Sequence, residues 1–410
     1  VLANTHILVV GGSGRVGGSV VVQLLKRGAS KVTVGGTSKE RFQKAQSRWK
    51  SLHGHNSTLL RMLDSHIDFV HVYRDNATSV ANVLREANYN LVVHTAGPFQ
   101  RKQNVTNGIL QASTQAGIPY VDVCDDYATS RMAQQLYTKE AQSHYSVPCI
   151  LSTGCWPGVS SLMARQLTSH VLRSHPTLSP ADLSVEFSFF TAGSGGAGST
   201  LLVATFLILA EQALTIVRGR RVSVPPMRDY SRVHFGSVVG NKQVAHLNLL
   251  ETASIHDLLG IGSIVTKFGT APEYWNVLLG LMARLPSDWL ANERWMEKLA
   301  FISLPIVRIV DYFAGATNAM RVDVFPTVPV NNSNIRVSAI YAHQNLEECV
   351  GECVVAFCVA ILAGYVRPGV WFPEEAILED DATTGVLNLA GIGAHTVEAT
   401  GVGTEHFWGR

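Results

Sequence analysis

Four glycines near the start of the chain have the spacing of a phosphate-binding turn. An apolar run at residues 6–10 precedes Gly11, Gly12, Gly14 and Gly17, and an amphipathic segment follows them. This pattern predicts a strand, a tight loop and a helix. In the dinucleotide-binding spacing, we expect Gly12 to allow the turn, Gly14 to let the backbone approach a pyrophosphate, and Gly17 to let the helix press against the strand.

The first N–H groups of such a helix point at the loop and favour an anion. The residues that we expect to contact a dinucleotide here are Gly11, Gly12, Ser13, Gly14, Arg15, Val16 and Gly17. The alternative is a glycine turn in an α/β domain that binds no ligand.

The end of the second predicted strand, residues 31–35, indicates which dinucleotide binds. An NAD enzyme carries Asp or Glu there to hold the ribose 2′-hydroxyl. Hydroxyl and basic side chains take that place here, and these suit a 2′-phosphate. The candidates are Thr37, Ser38, Lys39 and Arg41, with Arg15 within reach from the loop. The sequence therefore predicts NADP(H) rather than NAD(H); alternatively, Ser38 only caps a solvated helix.

Ligands of open α/β sheets bind at the carboxyl edge of the strands. The fourth predicted strand, residues 90–94, ends at that edge. It is followed by a turn that would wall the nicotinamide side of the cofactor, and this turn consists of Ala96, Gly97, Pro98 and Phe99. The alternative is an ordinary turn between a strand and a helix.

Carboxylates and a phenol follow the fifth predicted strand at the same edge. Asp125, Asp126 and Tyr127 are the candidate catalytic residues, because such groups orient a substrate or relay a proton. Alternatively, Asp125 or Asp126 caps the next helix.

A further set of residues is expected to line a substrate cleft. Trp156, Pro157 and Gly158 follow the sixth strand, and the indole favours an apolar or planar ligand. A glycine loop holding Gly195 and Gly196 precedes an apolar helix predicted over 199–217, and serves either as an anion cradle or as a lid. Arg321 is either a carboxylate or phosphate clamp or a salt-bridge partner.

Composition limits the classes of protein that remain. The chain has 410 residues, of which 46% are hydrophobic and 16% charged, and this predicts a sizeable core in one large or two medium domains. A net charge of +2 gives no electrostatic case for nucleic acid. Six cysteines without a CxxC pair predict neither a disulfide framework nor a metal site.

Two apolar runs, at 201–210 and 353–366, are shorter than the roughly 18 residues of a membrane span. We expect both to be buried helices and no segment to cross a membrane, with a subunit interface or a membrane-facing patch as the alternative. We expect the chain to be intracellular and soluble. Assembly into a homo-oligomer and membership of a larger complex both remain alternatives.

Strands and helices alternate over the first 150 residues, which predicts a doubly wound parallel sheet of the Rossmann type in an α/β protein. Residues 50–66 are polar and are predicted to form a loop. Later segments predict an α+β domain with a largely antiparallel sheet. The expected domains are 1–155 for cofactor binding, 156–344 for substrate or dimerisation, 345–376 for a helix that returns to the first domain, and 377–410 for a C-terminal tail.

Several of these motifs together resemble a known family. The residues at 11–17, Ala96 to Phe99, Tyr120 to Asp122 and Pro157 to Ser160 are similar to those of saccharopine dehydrogenase-like oxidoreductases. Residues 191–198, 268–272 and 368–375 look most like the plastid branch of plants and algae. The similarity runs over roughly residues 5–376 and implies a Rossmann domain, an α+β domain and a nicotinamide cofactor.

The same resemblance also bears on substrate and location. Trp156 stands where enzymes of the family that act on saccharopine carry an aspartate, and this departure disfavours an amino-acid substrate. The resemblance and the absence of a starting methionine predict a plastid location.

We therefore expect an NADP(H)-dependent oxidoreductase of a small apolar or planar substrate. One alternative is an NADP(H)-binding subunit without catalysis in a larger assembly, and a membrane-associated plastid assembly is included in this alternative. Another alternative is an amino-acid dehydrogenase of the saccharopine type.

Overall fold

The computed structural model describes residues 1–97, 99, 107–143, 146–192, 199–329, 335–394 and 396–400. Contacts divide the chain into two compact units, each built from two stretches. The first unit comprises Val1–Gly158 with Val350–Ala390, and the second comprises Val159–Cys349 with Gly391–Arg410.

Seven parallel strands form the sheet of the first unit, in the order β15-β6-β5-β4-β1-β2-β3. The strands are β1 His6–Val10, β2 Lys31–Gly36, β3 Ile67–His71, β4 Leu91–His94, β5 Tyr120–Asp122, β6 Pro148–Ile150 and β15 Gly369–Trp371. The strand order reverses between β1 and β4, which is where doubly wound sheets bind ligands. The predicted Rossmann-type α/β sheet is confirmed.

Helices connect these strands because their apolar faces pack onto the sheet. They are α1 Arg15–Lys26, α2 Lys39–Leu52, α3 Ser57–Ser65, α4 Ala77–Glu86, α5 Gly108–Gln115 and α6 Tyr127–Ser143, with α14 Leu346–Leu362, α15 Pro373–Ala376 and α16 Asp380–Ala390 near the end of the chain. The core between β4, β5 and the helices contains Val92, Tyr120, Ile109 and Leu110.

Residues 50–66 are not the loop that their polarity predicts. α2 continues to Leu52, and α3 forms after a short break. The Asn56 side chain accepts a hydrogen bond from Leu59 N at 2.9 Å and so caps α3. Leu59 and Leu63 are buried, and they anchor an otherwise polar helix.

The second unit is built on a mixed sheet of nine strands. Its main order is β10-β11-β12-β7-β13-β14-β16, and β8 joins β12 and β9 at one side. These strands are β7 Leu183–Ala192, β8 Ala213–Val217, β9 Arg220–Val224, β10 Ser231–His234, β11 Asn241–His246, β12 Ser263–Ala271, β13 Thr317–Pro326, β14 Val337–His343 and β16 Thr396–Thr400. Among the described strands of the second unit, only β7 and β12 pair in parallel, so the largely antiparallel sheet is confirmed.

The helices of this unit are α7 Val159–Ser174, α8 Ser199–Ile208, α9 Gly236–Val239, α10 Leu250–Leu259, α11 Tyr274–Met282, α12 Ser287–Leu290 and α13 Glu293–Ala314, with a 3₁₀ turn at Pro180–Asp182. The apolar helix predicted over 199–217 is therefore wrong in its second half. Thr215, Ile216 and Val217 favour a strand by their β-branched side chains, and β8 pairs them with β9.

The described part of the segment expected as a C-terminal tail contains a helix and a strand. α16 lies in the first unit, and β16 pairs with β14 in the second. The stretch expected as a tail thus contributes one element to each unit. α14, which covers most of the apolar run at 353–366, is buried along nearly its whole length, as expected of a core helix.

Candidate functional site

The glycine loop lies between the end of β1 and the start of α1. Its turn needs a positive backbone angle, and this angle is found at Gly11, with φ +83°, rather than at Gly12. A Cβ on Gly11 would lie 2.7 Å from Ala96 N, because β1 and β4 are neighbours in the sheet. Gly11 is therefore the residue that allows the loop to pass the end of β4.

Gly17 and Gly14 have different neighbours. A Cβ on Gly17 would lie 2.4 Å from both Gly11 O and Thr95 Oγ1, so α1 approaches the loop as closely as expected. A Cβ on Gly14 would meet, within 4 Å, only Gly11 O at 3.1 Å among the described atoms. The space above Gly14 is otherwise open, which suits a ligand that approaches the backbone.

Two polar features of the loop fit a phosphate group. Gly14 occupies the N-cap position of α1 and, as a glycine, provides no side-chain cap for that end of the helix. The Ser13 hydroxyl is buried without a hydrogen-bond partner among the described residues. Uncapped N–H groups and a lone hydroxyl are what a pyrophosphate would satisfy, so the loop fits a dinucleotide. Arg15 and Val16 form the first turn of α1 beside them.

The end of β2 carries the residues expected to select a 2′-phosphate. Ser38 caps α2, accepting from Arg41 N at 3.2 Å, and its hydroxyl donates to Glu40 Oε2 at 2.7 Å. The hydrogen bond from Ser38 lowers the pKa of the Glu40 carboxyl. Thr37, Lys39 and Arg41 are exposed. Glu40 therefore places an acid among the four residues expected to select a 2′-phosphate, and the sequence pattern had not been interpreted with this acid in mind.

The turn after β4 is tied to the loop after β3 by a residue that the sequence analysis missed. The Arg74 guanidinium donates to the carbonyl oxygens of Ala96 and Gly97, the second at 2.7 Å. Phe99 lies against the His94 ring, with centroids 5.0 Å apart. Pro98 lies outside the described residues.

A buried polar network joins the ends of β4 and β5, in the first unit. The Tyr120 hydroxyl is its centre, 2.9 Å from His94 Nδ1, from Asn107 Nδ2 and from Asp122 Oδ2. Asp122 Oδ1 accepts from two backbone groups, Ser152 N at 2.8 Å and Cys124 N at 3.1 Å. Because these groups are buried and hydrogen-bonded to one another, the protonation state of each depends on that of the others.

Burial dominates the acidity of every titratable member of the network. It raises the pKa of Asp122 to about 6, against the lowering effect of its hydrogen bonds to Ser152, Cys124 and Tyr120. It lowers the pKa of His94 to about 3, so this ring is neutral near pH 7. Burial and the Asp122 charge also raise the pKa of the Tyr120 phenol. Asp122 is thus the group of the network that changes charge closest to neutral pH.

The network has two complete hydrogen-bond arrangements. When Asp122 is ionised, the Tyr120 hydroxyl donates to it and must accept from His94 Nδ1, which leaves Nε2 as an acceptor. When Asp122 is protonated, it donates to Tyr120, whose proton then goes to His94 Nδ1, and Nε2 carries the hydrogen. His94 Nε2 is buried and has no hydrogen-bond partner among the described residues. The charge of Asp122 therefore sets whether Nε2 accepts or donates.

The three residues predicted to be catalytic follow β5. Asp126 Oδ1 accepts from Thr129 N at 2.7 Å at the start of α6, which is the capping role that was the alternative for it. Asp125 is exposed. Tyr127 lies against Phe372, with ring centroids 5.7 Å apart. A catalytic role for these three side chains stays a prediction.

The residues predicted to line a substrate cleft are divided between the two units, and two of them lie outside the described residues. Trp156, Pro157 and Gly158 belong to a turn closed by a bridge between Gly154 and Gly158. A Cβ on Gly158, whose φ is +129°, would lie 2.2 Å from Gly154 O, so this turn requires glycine. Gly195 and Gly196 lie outside the described residues.

Arg321 lies in the second unit, on β13. It donates two hydrogen bonds to the Asp323 carboxylate, each at 2.8 Å, and a third to His234 O at 2.9 Å. Its guanidinium therefore has the salt-bridge role that the sequence analysis gave as the alternative to a clamp.

His94, Tyr120 and Asp122 were not selected from the sequence as site residues. The signal was present, because all three are polar residues within short, otherwise apolar strands of a parallel sheet. They stand where these strands approach the ligand edge. Among the described residues, no cluster of His, Cys, Asp or Glu has the geometry of a metal site.

A protein-family model matches most of the first stretch of the first unit. Residues 7–148 match the family model of the saccharopine dehydrogenase NADP binding domain. This match confirms the resemblance for that domain, and the first unit therefore carries a nucleotide-cofactor-binding domain with the fold of NADP oxidoreductases. No curated protein matches the chain in a sequence comparison.

Solved structures are similar over 37% of the chain. They include Pen from Bacillus thuringiensis, with 15% identity over 51% of its length and a TM-score of 0.28. A short-chain dehydrogenase from Burkholderia cenocepacia, in complex with NADP, has 16% identity over 71% of its length and a TM-score of 0.27. One from Serratia marcescens has 17% identity over 73% and a TM-score of 0.29. The chain thus spans about half the length of the first of these proteins.

Proposed function

We propose that the chain is an NADP(H)-dependent oxidoreductase that acts on a small apolar or planar substrate. The observation that carries this proposal is the glycine loop, where the start of α1 has no side-chain cap and the Ser13 hydroxyl is buried without a partner among the described residues. The nicotinamide ring would transfer hydride when bound. The residues of the loop would hold the pyrophosphate, and Ala96 and Gly97 would adjoin the nicotinamide side.

The preference for NADP(H) rests on the exposed side chains after β2. Thr37, Lys39 and Arg41 present a hydroxyl and two cations, which favour a 2′-phosphate. Glu40 opposes them, although Ser38 holds its carboxylate by a hydrogen bond. We expect the two cations to outweigh this single exposed acid, so that NADPH binds more tightly than NADH.

Calorimetric titration of the purified chain with NADPH and NADH tests the cofactor. Replacing Lys39 and Arg41 by Ala should weaken NADPH binding by about tenfold or more, which corresponds to about 1.4 kcal/mol, and should leave NADH binding nearly unchanged. Arg61→Ala is the matched control, because Arg61 is an exposed arginine of the same unit on α3. Wild-type chain that binds neither nucleotide would rule out the proposal.

A second candidate is an NADP(H)-binding subunit without catalysis. It is favoured by Asp126, because Oδ1 of this predicted catalytic carboxylate accepts a hydrogen bond that caps α6 and so has a structural role. A chain that binds NADPH tightly but oxidises it with no carbonyl compound in a broad screen would select this candidate. The same screen should include saccharopine, because activity with it would establish the amino-acid alternative.

The predicted plastid location belongs to this proposal as an expectation from the resemblance. Among the described residues, no helix combines the length and the apolar character needed to cross a membrane. Immunodetection of the chain in purified plastids of its source tests the location, and its recovery only in other fractions would contradict it.

A further inference from the structure

The second unit has an unusual concentration of exposed apolar side chains. Half of the large apolar residues that stand exposed in the described part of the chain lie between Tyr274 and Tyr312. They belong to α11, α12 and α13 and to the turns between these helices. We call the solvent-facing sides of these three helices the apolar helical face.

The three helices are neighbours, because they share one buried cluster. Leu279 of α11, Leu290 of α12, and Met296 and Ala300 of α13 pack together beneath the surface. The exposed sides of the helices therefore belong to one region of the unit. Exposed apolar areas of this extent mark sites of interaction rather than ordinary surface.

α13 shows how complete the exposure is. Its buried side holds Met296, Ala300 and Val307. Its opposite side presents Ile302, Ile306 and Ile309, with spacings of four and three residues that keep them on one face of a helix. Isoleucines that are more than half exposed at such a spacing contribute little to packing within the unit. This side of α13 is therefore available for contact with a partner.

Aromatic residues mark the ends of this face. The rings of Trp289 and Trp295 are stacked, with centroids 6.4 Å apart and planes 3° from parallel. Tyr312, at the other end of α13, is 85% exposed. Trp and Tyr are enriched where proteins meet the headgroup region of a bilayer, because their rings are apolar and carry a polar group.

The charges on the face indicate the kind of occupant. At about 100° per residue, Arg294 and Lys298 fall among the exposed apolar side chains of α13, and Arg308 and Glu297 fall at its edge. Lys298 lies over the Trp295 ring at 5.2 Å, so its stem covers apolar surface while its charge stays in water. Among the described residues, the apolar side of α13 therefore carries two cations and no acid, while the exposed acids Asp288, Glu293 and Glu297 lie at its edge or outside it. A twofold pairing of two copies would oppose this side to an identical side with the same cations.

We propose that the apolar helical face binds the surface of a membrane that contains anionic lipids. α13 lies in the plane of the headgroups, with its isoleucines among the first carbons of the acyl chains and its cations against lipid phosphates. The proposal concerns attachment to a surface. It is independent of the cofactor site in the first unit.

Vesicle flotation of the full chain tests the proposal. The chain should bind vesicles of phosphatidylcholine with phosphatidylglycerol, and bind pure phosphatidylcholine much less. Ile302→Ser should weaken binding by about tenfold, because it removes an apolar side chain from the acyl region. Ile392→Ser is the matched control, since Ile392 is 68% exposed and Ile302 is 69% exposed. Both variants should melt like the wild type, because neither residue is buried.

Three results would overturn the proposal. One is a wild-type chain that floats with neither kind of vesicle. Another is an equal loss of binding in the Ile302 and Ile392 variants. The third is a wild-type dimer in light scattering that Ile302→Ser dissociates while vesicles bind nothing, which would assign the face to contact between copies. Equal binding to both kinds of vesicle would refute the anionic preference.

Discussion

Each of the two units buries an aspartate, and the two carboxylates behave in opposite ways. Asp122 in the first unit is 1% exposed, and Asp323 in the second is 3% exposed. Burial raises the pKa of Asp122 to about 6. For Asp323, burial acts in the same direction, but hydrogen bonds from Arg321 and Ser338 and the charges of Arg321 and Arg336 overcome it and lower the pKa.

The difference lies in the partners and not in the depth of burial. In the part of the chain that the structure describes, the Asp122 carboxylate accepts from neutral groups, namely two backbone N–H groups and the Tyr120 hydroxyl. Asp323 is held by two guanidinium groups. A carboxylate without a cation is expensive to keep charged, and proteins retain such groups mainly where they do chemistry. Asp122 is therefore a candidate functional residue, whereas Asp323 forms ion pairs with Arg321 and Arg336.

The two aspartates give opposite dependences of stability on pH. The folded-state pKa of Asp122 exceeds the unfolded value of about 3.9, so the free energy of unfolding falls as the pH rises from there to about 6. The folded-state pKa of Asp323 is below its unfolded value, so its contribution is present above that value and is lost as the pH falls through the folded pKa.

The largest expected effect comes from removing one of the two cations that hold Asp323. Arg321→Met removes two of the four side-chain hydrogen bonds to this buried carboxylate and leaves those from Arg336 and Ser338, and we expect the free energy of unfolding to fall by about 4 kcal/mol. Urea denaturation at pH 7 measures this. Arg221→Met is the control, because Arg221 makes a bidentate ion pair with Asp257 at the surface. If both variants lose the same stability, the comparison fails.

Asp122→Asn should have the next largest effect, and with the opposite sign. An Asn can accept from Ser152 N and Cys124 N and donate to Tyr120 without any charge. A pKa raised by about two units corresponds to about 3 kcal/mol, so the variant should be more stable than the wild type at pH 8 by up to about that amount. At pH 4 the two should be alike. Asp125→Asn, at an exposed neighbour, should show no such dependence on pH.

Tyr120→Phe should destabilise the first unit by about 2 kcal/mol, because it removes the phenol partner of His94 Nδ1, Asn107 Nδ2 and Asp122 Oδ2. It should also raise the pKa of Asp122 further, since the phenol now stabilises its charge. Denaturation curves between pH 4 and pH 8 would show the loss of stability moving to higher pH. Tyr230→Phe removes a single hydrogen bond to Asn276 O in the second unit and should leave that pH range unchanged.

Asp323 forms a polar cluster with Arg321, Arg336 and Ser338, and Glu186 pairs with Arg336 at the outer edge of this cluster. The smallest effect is expected at Glu186. Glu186 pairs with Arg336 at 2.5 Å, and both side chains are more than a third exposed. Glu186→Gln should change the free energy of unfolding by about 0.5 kcal/mol or less, because water screens exposed pairs. If Glu186→Gln lowered the free energy of unfolding as much as Arg321→Met, the cluster would act as one unit. The contribution of each member would then not depend on its exposure.

Local sequence signals predicted much of the fold. Alternating strands and helices, with a glycine turn after β1, were sufficient for the parallel sheet, because each signal lies within a few residues of the chain. The errors arose where packing overrides composition. α3 forms from a polar stretch because Leu59 and Leu63 find a core. Residues 213–217 leave the apolar helix because β9 offers them a partner.

The candidate site was predictable where a motif is continuous, as at Gly11 to Gly17. It was not predictable where residues meet through the sheet. His94, Tyr120 and Asp122 are neighbours because β4 and β5 pair in register, with His94 opposite Asp122. Arg321 illustrates the reverse case, because its salt-bridge partner Asp323 lies two residues away on the same strand.

The apolar runs were also judged by composition alone. The run at 353–366 falls largely in α14, which is buried. The exposed apolar region instead spans 274–312, where charged residues recur every few positions and dilute the hydrophobic signal. Only the three-dimensional arrangement separates the two sides of α13.

The strand order of the first unit has a consequence for the order of synthesis. β15 completes the sheet beside β6, yet it is made more than two hundred residues after β6. The strands of residues 7–148 emerge from the ribosome early, while the edge of β6 stays open until residues 369–371 appear. An open edge invites wrong pairing. The nascent chain must therefore protect β6 throughout the synthesis of the second unit, and a fragment that stops before residue 369 inherits that open edge permanently.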